Sequence, residues 1–154
     1  MTEEERLVEK LQHIERLFAG AATPGERDAA ARARERIAAR LKEQERVEPA
    51  VEYTFTMRDR WSHRLLVALL RRHGLRPYRY PRQRYTTTNA KVPASFVNET
   101  LWPEFVELQK VLVGHLNEVA NRVIAQGVTA DDSEVEVRPQ TASLGMGSAT
   151  MEQS

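Results

Sequence analysis

Apolar residues at Leu7, Leu11, Ile14 and Phe18 recur at spacings of four, three and four, with Leu17 widening the stripe. This spacing predicts an amphipathic helix over residues 3–19, stopped by Gly20. A second helix is predicted over 24–46, opened by Thr23-Pro24-Gly25-Glu26. There Thr23 caps free N–H groups, Pro24 takes the first helical position and Glu26 reaches back to the cap. Its stripe is slim (Ala30, Ala33, Ile37, Leu41), so the two helices are expected to form a close antiparallel hairpin. Pro49 ends it.

Val51–Phe55 alternates and predicts a short strand. A third helix is predicted over 57–73, burying Trp61, Leu65, Ala68 and Leu69, with Gly74 as its C-terminal stop. Leu75–Pro81 and Arg84–Val92 read as two strands around a Pro-Arg-Gln-Arg turn. Pro77 and Pro81 confine the first of them to a sheet edge. A last, long helix is predicted over 101–126, closed by Gly127. Its seam is Leu101, Phe105, Leu108, Leu112, His115 and Val119, with a second apolar line beside it, so it should be central and touch several neighbours. Glu104, Glu107 and Glu118 are spaced for its solvent face. Beyond Val128 the chain turns acidic and then rich in Gly and Ser, with no core-forming pattern, and is expected to be disordered.

The pattern as a whole predicts a mostly helical α+β protein. It divides into a helical hairpin (1–48), an α+β core with a small basic β-hairpin and a long central helix (49–127), and a flexible tail (128–154). The longest purely apolar run, Leu65–Leu70, has six residues, far below the roughly 20 of a membrane helix. Met1–Lys10 holds four glutamates where a signal peptide would be basic and then apolar. A cytoplasmic protein without a membrane partner is expected.

Charge changes this picture. From Arg60 to Asn98 there are eight arginines, one lysine and no acidic residue, a formal +9, while the whole chain is +1 and the rest therefore −8. Tyr78, Tyr80 and Tyr85 lie among the arginines, and flat rings between cations suit bases between phosphates. The expected nucleic-acid-binding residues are Arg71, Arg72, Arg76, Tyr78, Arg79, Tyr80, Arg82, Arg84, Tyr85 and Lys91, with RNA and DNA equally open. Two other uses of the same residues stay open: an intramolecular charge network, above all for Arg64, Arg71 and Arg72, and a protein interface. A different class of function is carried by the last helix. Leu101, Phe105, Leu108, Leu112 and Val119 form a seam through which a structural or assembly protein would self-associate, most simply as a homodimer.

The remaining chemistry is sparse. The chain has no cysteine, which removes disulfides and thiolate chemistry. His13, His63, His73 and His115 show no metal-ligand spacing. No phosphate loop, nucleophile elbow or rigid carboxylate pair is present, so no catalytic residue, metal or cofactor is assigned.

Two resemblances add to this reading. Lys10, Leu11, Ile14, Leu17, Thr23, Glu26, Ala29, Ala30, Ala33 and Leu41 follow a pattern that resembles a short helical-hairpin domain of unknown function in bacterial and phage proteins. The chain departs from it at Phe18. The resemblance implies a helical hairpin and a bacterial or phage origin, and no activity. Ser143-Leu-Gly-Met-Gly-Ser148 resembles the tag by which cargo docks inside encapsulin shells, which implies Leu144 and Met146 as anchors and a shell as partner. Ala149 and Thr150 depart from the tag's usual ending.

Overall fold

The computed structural model describes residues 1–20 and 29–140. The expected Thr23–Glu26 cap and the tail peptide with Leu144 and Met146 lie outside the described residues. Helix α1 spans Glu3–Ala19. It is opened by a capping box in which Thr2 and Glu5 each accept the other's backbone N–H at 3.1 Å, and closed by Gly20 at φ 101°. Helix α2 spans Ala29–Val47 and buries Ala33, Ile37 and Leu41. Strand β1 is Ala50–Thr56, helix α3 is Arg60–Arg72 and strand β2 is Thr87–Pro93. A continuous helical rod follows: α4 (Ala94–Phe96), one π-helical turn (Val97–Leu101) and α5 (Trp102–Gly127). The fold class is the expected mostly helical α+β arrangement. Residues 128–140 form no helix or strand and are exposed throughout.

The sheet differs from the sequence reading in its pairing. Strand β2 runs antiparallel to β1, with Tyr53 opposite Ala90 and Phe55 opposite Thr88. Leu75–Pro81 makes only one bridge to the same strand, Tyr78 to Asn89. Two prolines remove ladder donors from this segment, and that limits its pairing to a single position. β1 has no such gap and takes the full ladder.

One core unites the described elements. Ile37 and Leu41 from α2, Leu66, Leu69 and Leu70 from α3, Phe55 and Val92 from the sheet, and Leu101, Phe105 and Leu108 from α5 all bury together. Arg40 of α2 ties the layers. Its guanidinium donates to the carbonyls of Phe18 (2.8 Å) and Ala19 (3.3 Å), satisfying the open end of α1, and to Thr100 Oγ1 at 3.0 Å. Glu48 accepts from the Ser95 N–H at 2.9 Å at the start of the helical rod, where a carboxylate opposes the positive end of the helix dipole.

Several side chains lie where the hydrophobic pattern did not place them, among them Leu17 of α1, which is 64% exposed. Trp61 is 52% exposed, and Ala68 is exposed, because α3 turns Ser62, Leu66, Leu69 and Leu70 inward instead. Glu104 is 0% exposed, buried beside His73 and not on a solvent face. The expected seam of α5 also divides. Leu101, Phe105 and Leu108 are buried, Leu112 is half-buried and Val119 is exposed. His115 leaves the seam and faces Glu3 of α1 at 3.9 Å.

Candidate nucleic-acid interface

The Arg/Tyr segment begins where α3 ends. Gly74, at φ 80°, donates to the Arg71 carbonyl at 3.0 Å and Leu75 donates to Leu70 at 2.9 Å. This is the Schellman pair of hydrogen bonds, which reverses the chain against its own helix. Buried Leu75 anchors the return.

Asn89 then holds the segment to the sheet. It is fully buried, and its backbone exchanges both hydrogen bonds with Tyr78 at 2.9 and 2.7 Å. Its side-chain amide donates to the Tyr78 carbonyl (3.1 Å) and to Gln83 Oε1 (2.7 Å), while its oxygen accepts from Thr54 Oγ1 (2.8 Å). Gln83 Oε1 also accepts from the Tyr80 N–H at 2.9 Å. The tip is a reverse turn in which Gln83 N–H reaches the Tyr80 carbonyl at 3.2 Å. Pro81 sits second, and Arg82, third, takes φ 73°. That is the type II pattern, whose third position favours glycine or asparagine. The chain thus places an exposed arginine in a disfavoured conformation within the turn that closes the loop.

At the far side the Thr86 carbonyl accepts from Met57 N–H at 3.1 Å, which sets the loop against the entrance of α3. Arg79 lies over the Tyr85 ring at 5.4 Å and donates to the Tyr85 carbonyl at 3.2 Å. Tyr85, 62% exposed, covers His63 with ring centres 5.7 Å apart. His63 shares a hydrogen bond with Thr88 Oγ1 at 2.9 Å. Burial first, and then the Arg79 charge, lower its pKa, so it stays neutral and adds no charge to the surface. Further along α3, Arg64 stands 5.4 Å over the Trp61 ring, and Arg60, Trp61 and Arg64 line a concavity of about 210 Å³.

The expected binding residues therefore separate into groups. Among the described residues, Arg71, Arg76, Arg82 and Arg84 form no ion pair. Arg72 is withdrawn from the surface set, since Glu15 grips it through two hydrogen bonds of 2.8 and 2.7 Å. Lys91 stands across the sheet from Glu52. Tyr78 and Tyr80 meet edge-to-face at 5.6 Å and both give their hydroxyls to Glu52 Oε2, Tyr78 at 2.5 Å. These two hydrogen bonds hold the Glu52 carboxyl below its ordinary range and raise the Tyr78 phenol well above its own. Trp61, assigned to the core by its spacing, is instead an exposed ring beside this segment and a candidate site residue that sequence reasoning missed. Its signal was the pair of flanking arginines at 60 and 64, an arrangement suited to a ring under a cation.

A second polar cluster lies inside the domain. His73 Nε2 and Glu104 Oε2 are 3.0 Å apart with both side chains 1% exposed. Arg72 stands close enough for Glu104, after Glu15, to raise its pKa. Glu104 Oε1 has no hydrogen-bond partner among the described residues.

No helix among the described residues is long and apolar enough to cross a membrane. No family model, curated protein or solved structure matches the chain.

Proposed function

We propose that this chain is a bacterial or phage-type accessory protein that binds single-stranded nucleic acid. The interface would be the end of the domain where the 76–85 loop meets the entrance of α3. Arg76, Arg82 and Arg84 would neutralise phosphates, and the exposed rings of Trp61 and Tyr85 would receive bases, each already lying beneath an arginine. The observation that carries this reading is Arg82. A charged residue at φ 73°, free of any ion pair among the described residues, is disfavoured by the backbone and gains nothing inside the domain. Its charge is then best explained by something outside. Exposed rings favour unpaired bases over duplex, because only splayed bases offer their faces.

The test is fluorescence anisotropy with labelled oligo(dT) and oligo(U) at several salt concentrations. Three arginine–phosphate contacts on a single strand imply a slope of log K against log[salt] of about −2. Arg82→Gly should reduce that slope by roughly one contact while leaving the melting temperature unchanged or raised, since glycine suits the turn. Absence of binding at low salt, or a slope unaltered in Arg82→Gly, overturns the proposal.

A second reading is favoured by one specific feature of α5. Beyond Lys110 the helix carries only two charged residues, Glu118 and Arg122, and both lie on the α1 side, where Arg122 donates to Glu3 at 2.9 Å. The opposite arc holds Leu112, Val113, Leu116, Val119, Val123 and Ile124 with no charge among them, and the last three are exposed. It prolongs the stripe that Leu101, Phe105 and Leu108 bury in the core. A second copy would meet this arc without like-charge repulsion, over about 18 Å of helix. Self-association as a symmetric dimer is the assembly it supports.

A further inference from the structure

Helices α1 and α3 flank α5 without closing on each other, and a groove of about 280 Å³ runs between them. Leu11, Leu65, Leu69 and Leu108 give it apolar walls, and Glu104 contributes to its lining from α5. The Arg72–Glu15 pair bridges it from α3 to α1. Within this apolar setting Glu104 is an unusual residue. An apolar side chain at 104 would extend the buried stripe between Leu101 and Leu108, and a buried carboxylate is costly unless its oxygens are matched. His73 matches Oε2 at 3.0 Å; Oε1 is matched by nothing among the described residues.

We propose that the groove is a binding site for a short aliphatic primary amine. Its ammonium donates to Glu104 Oε1 and its hydrocarbon lies against the four leucines. The chemistry of the lining selects this class. Arg72 is held by both oxygens of Glu15, so its charge is already balanced and Glu104 has no permanent cation of its own. An anion is disfavoured by the two carboxylates bordering the groove. A neutral alcohol can supply a hydrogen bond but not the balancing charge, and a charge-assisted bond is about twice as strong as a neutral one. The volume lies just under the roughly 300 Å³ at which drug-sized sites begin, which limits the ligand to a few carbons. Ala68, exposed on α3 at the groove's edge, marks the entrance.

The proposal is tested by titrating the isotopically labelled full chain with n-butylammonium and following backbone and side-chain NMR shifts, with n-butanol and butyrate as controls. Saturable shifts should centre on Leu11, Ala68, Glu104 and Leu108. Affinity should fall at least tenfold in Glu104→Gln and for n-butanol. Ala68→Phe, which blocks the entrance from an exposed helical position and leaves the core untouched, should abolish binding even if Glu104→Gln fails to fold. Equal affinity for butanol, saturable shifts located elsewhere, or unchanged affinity in Ala68→Phe would each overturn the assignment.

Discussion

Replacing Asn89 by leucine isolates the device that holds the arginine loop to the sheet. The substitution keeps the number and branching of side-chain heavy atoms but deletes the side-chain hydrogen bonds to Thr54 Oγ1, to the Tyr78 carbonyl and to Gln83, which both accepts from and donates to the Asn89 amide. A net hydrogen bond contributes about 1 kcal/mol, and more when its partner is left buried and unsatisfied. Here the partners escape that larger penalty. Thr54 is exposed, Gln83 is half-buried and can reach water, and the Tyr78 carbonyl keeps its bond from the Asn89 backbone N–H. The loss should therefore be about 2–3 kcal/mol, or roughly 5–10 °C in melting temperature for a chain of this size. Because the bonds to the Tyr78 carbonyl and to Gln83 fasten residues 78–83 to β2, while the Thr54 bond ties β2 to β1, the loss should fall mainly on opening of the loop. Limited trypsin digestion reads this directly, since Arg79, Arg82 and Arg84 are cleavage sites within the segment. When opening is fast relative to cleavage, the rate follows the open population and should rise about 30- to 150-fold at those sites. Cleavage within threefold of the parent protein, or a melting temperature lowered by less than about 2 °C, would refute the claim that Asn89 fastens the loop.

Gly74→Ala should cost about 1–2 kcal/mol by chemical denaturation, purely through its φ of 80°, because an added Cβ meets no atom within 4 Å; a neutral result would mean the α3 terminus is not closed as described. Glu52 should titrate below the ordinary carboxylate range, because the Tyr78 and then the Tyr80 hydroxyl donate to its ionised form. Its folded pKa lies below the unfolded one, so its contribution is present above the unfolded value and is lost as pH falls through the folded value; an NMR titration placing Glu52 at or above about 4.3 contradicts this. Leu116→Glu should give a folded monomer by light scattering from a parent protein that is dimeric at micromolar concentration, and a monomeric parent would end the assembly reading.

Local pattern carried much of the architecture. The 4-3-4 spacing before Gly20 marks both ends of α1, and Gly74 marks the end of α3, because helix periodicity and positive-φ glycines are properties of neighbouring residues. The pairing of strands is not such a property. Val51–Phe55 and Arg84–Val92 each announce a strand, but nothing local tells Thr88 that Phe55 lies opposite it across the intervening helix. The loop's arginines were legible as charge, whereas the residue that positions them, Asn89, reads in sequence as an ordinary end to a threonine run. Glu104 was misassigned because its partner, His73, is 31 residues away. Its place between Leu101 and Leu108 on the inward side of the helix was the one available signal. The Thr2-x-x-Glu5 cap was equally readable and simply overlooked.

The π-helical turn at Val97–Leu101 has a mechanical meaning for everything beyond it. Phe96 and Leu101 are both completely buried although five positions apart, and a regular α-helix would point them about 140° from one another. The wider turn takes in one additional residue and brings both side chains onto the core. That extra residue sets the rotational phase of the whole of α5 relative to the sheet. Without it, every later side chain would be displaced by one position, about 100°. Pro103 would then stand where Glu104 meets His73, and the charge-free arc beyond Lys110 would leave the domain in another direction. The buried carboxylate and the outward apolar stripe thus share a single angular setting, so neither can be re-aimed without re-aiming the other.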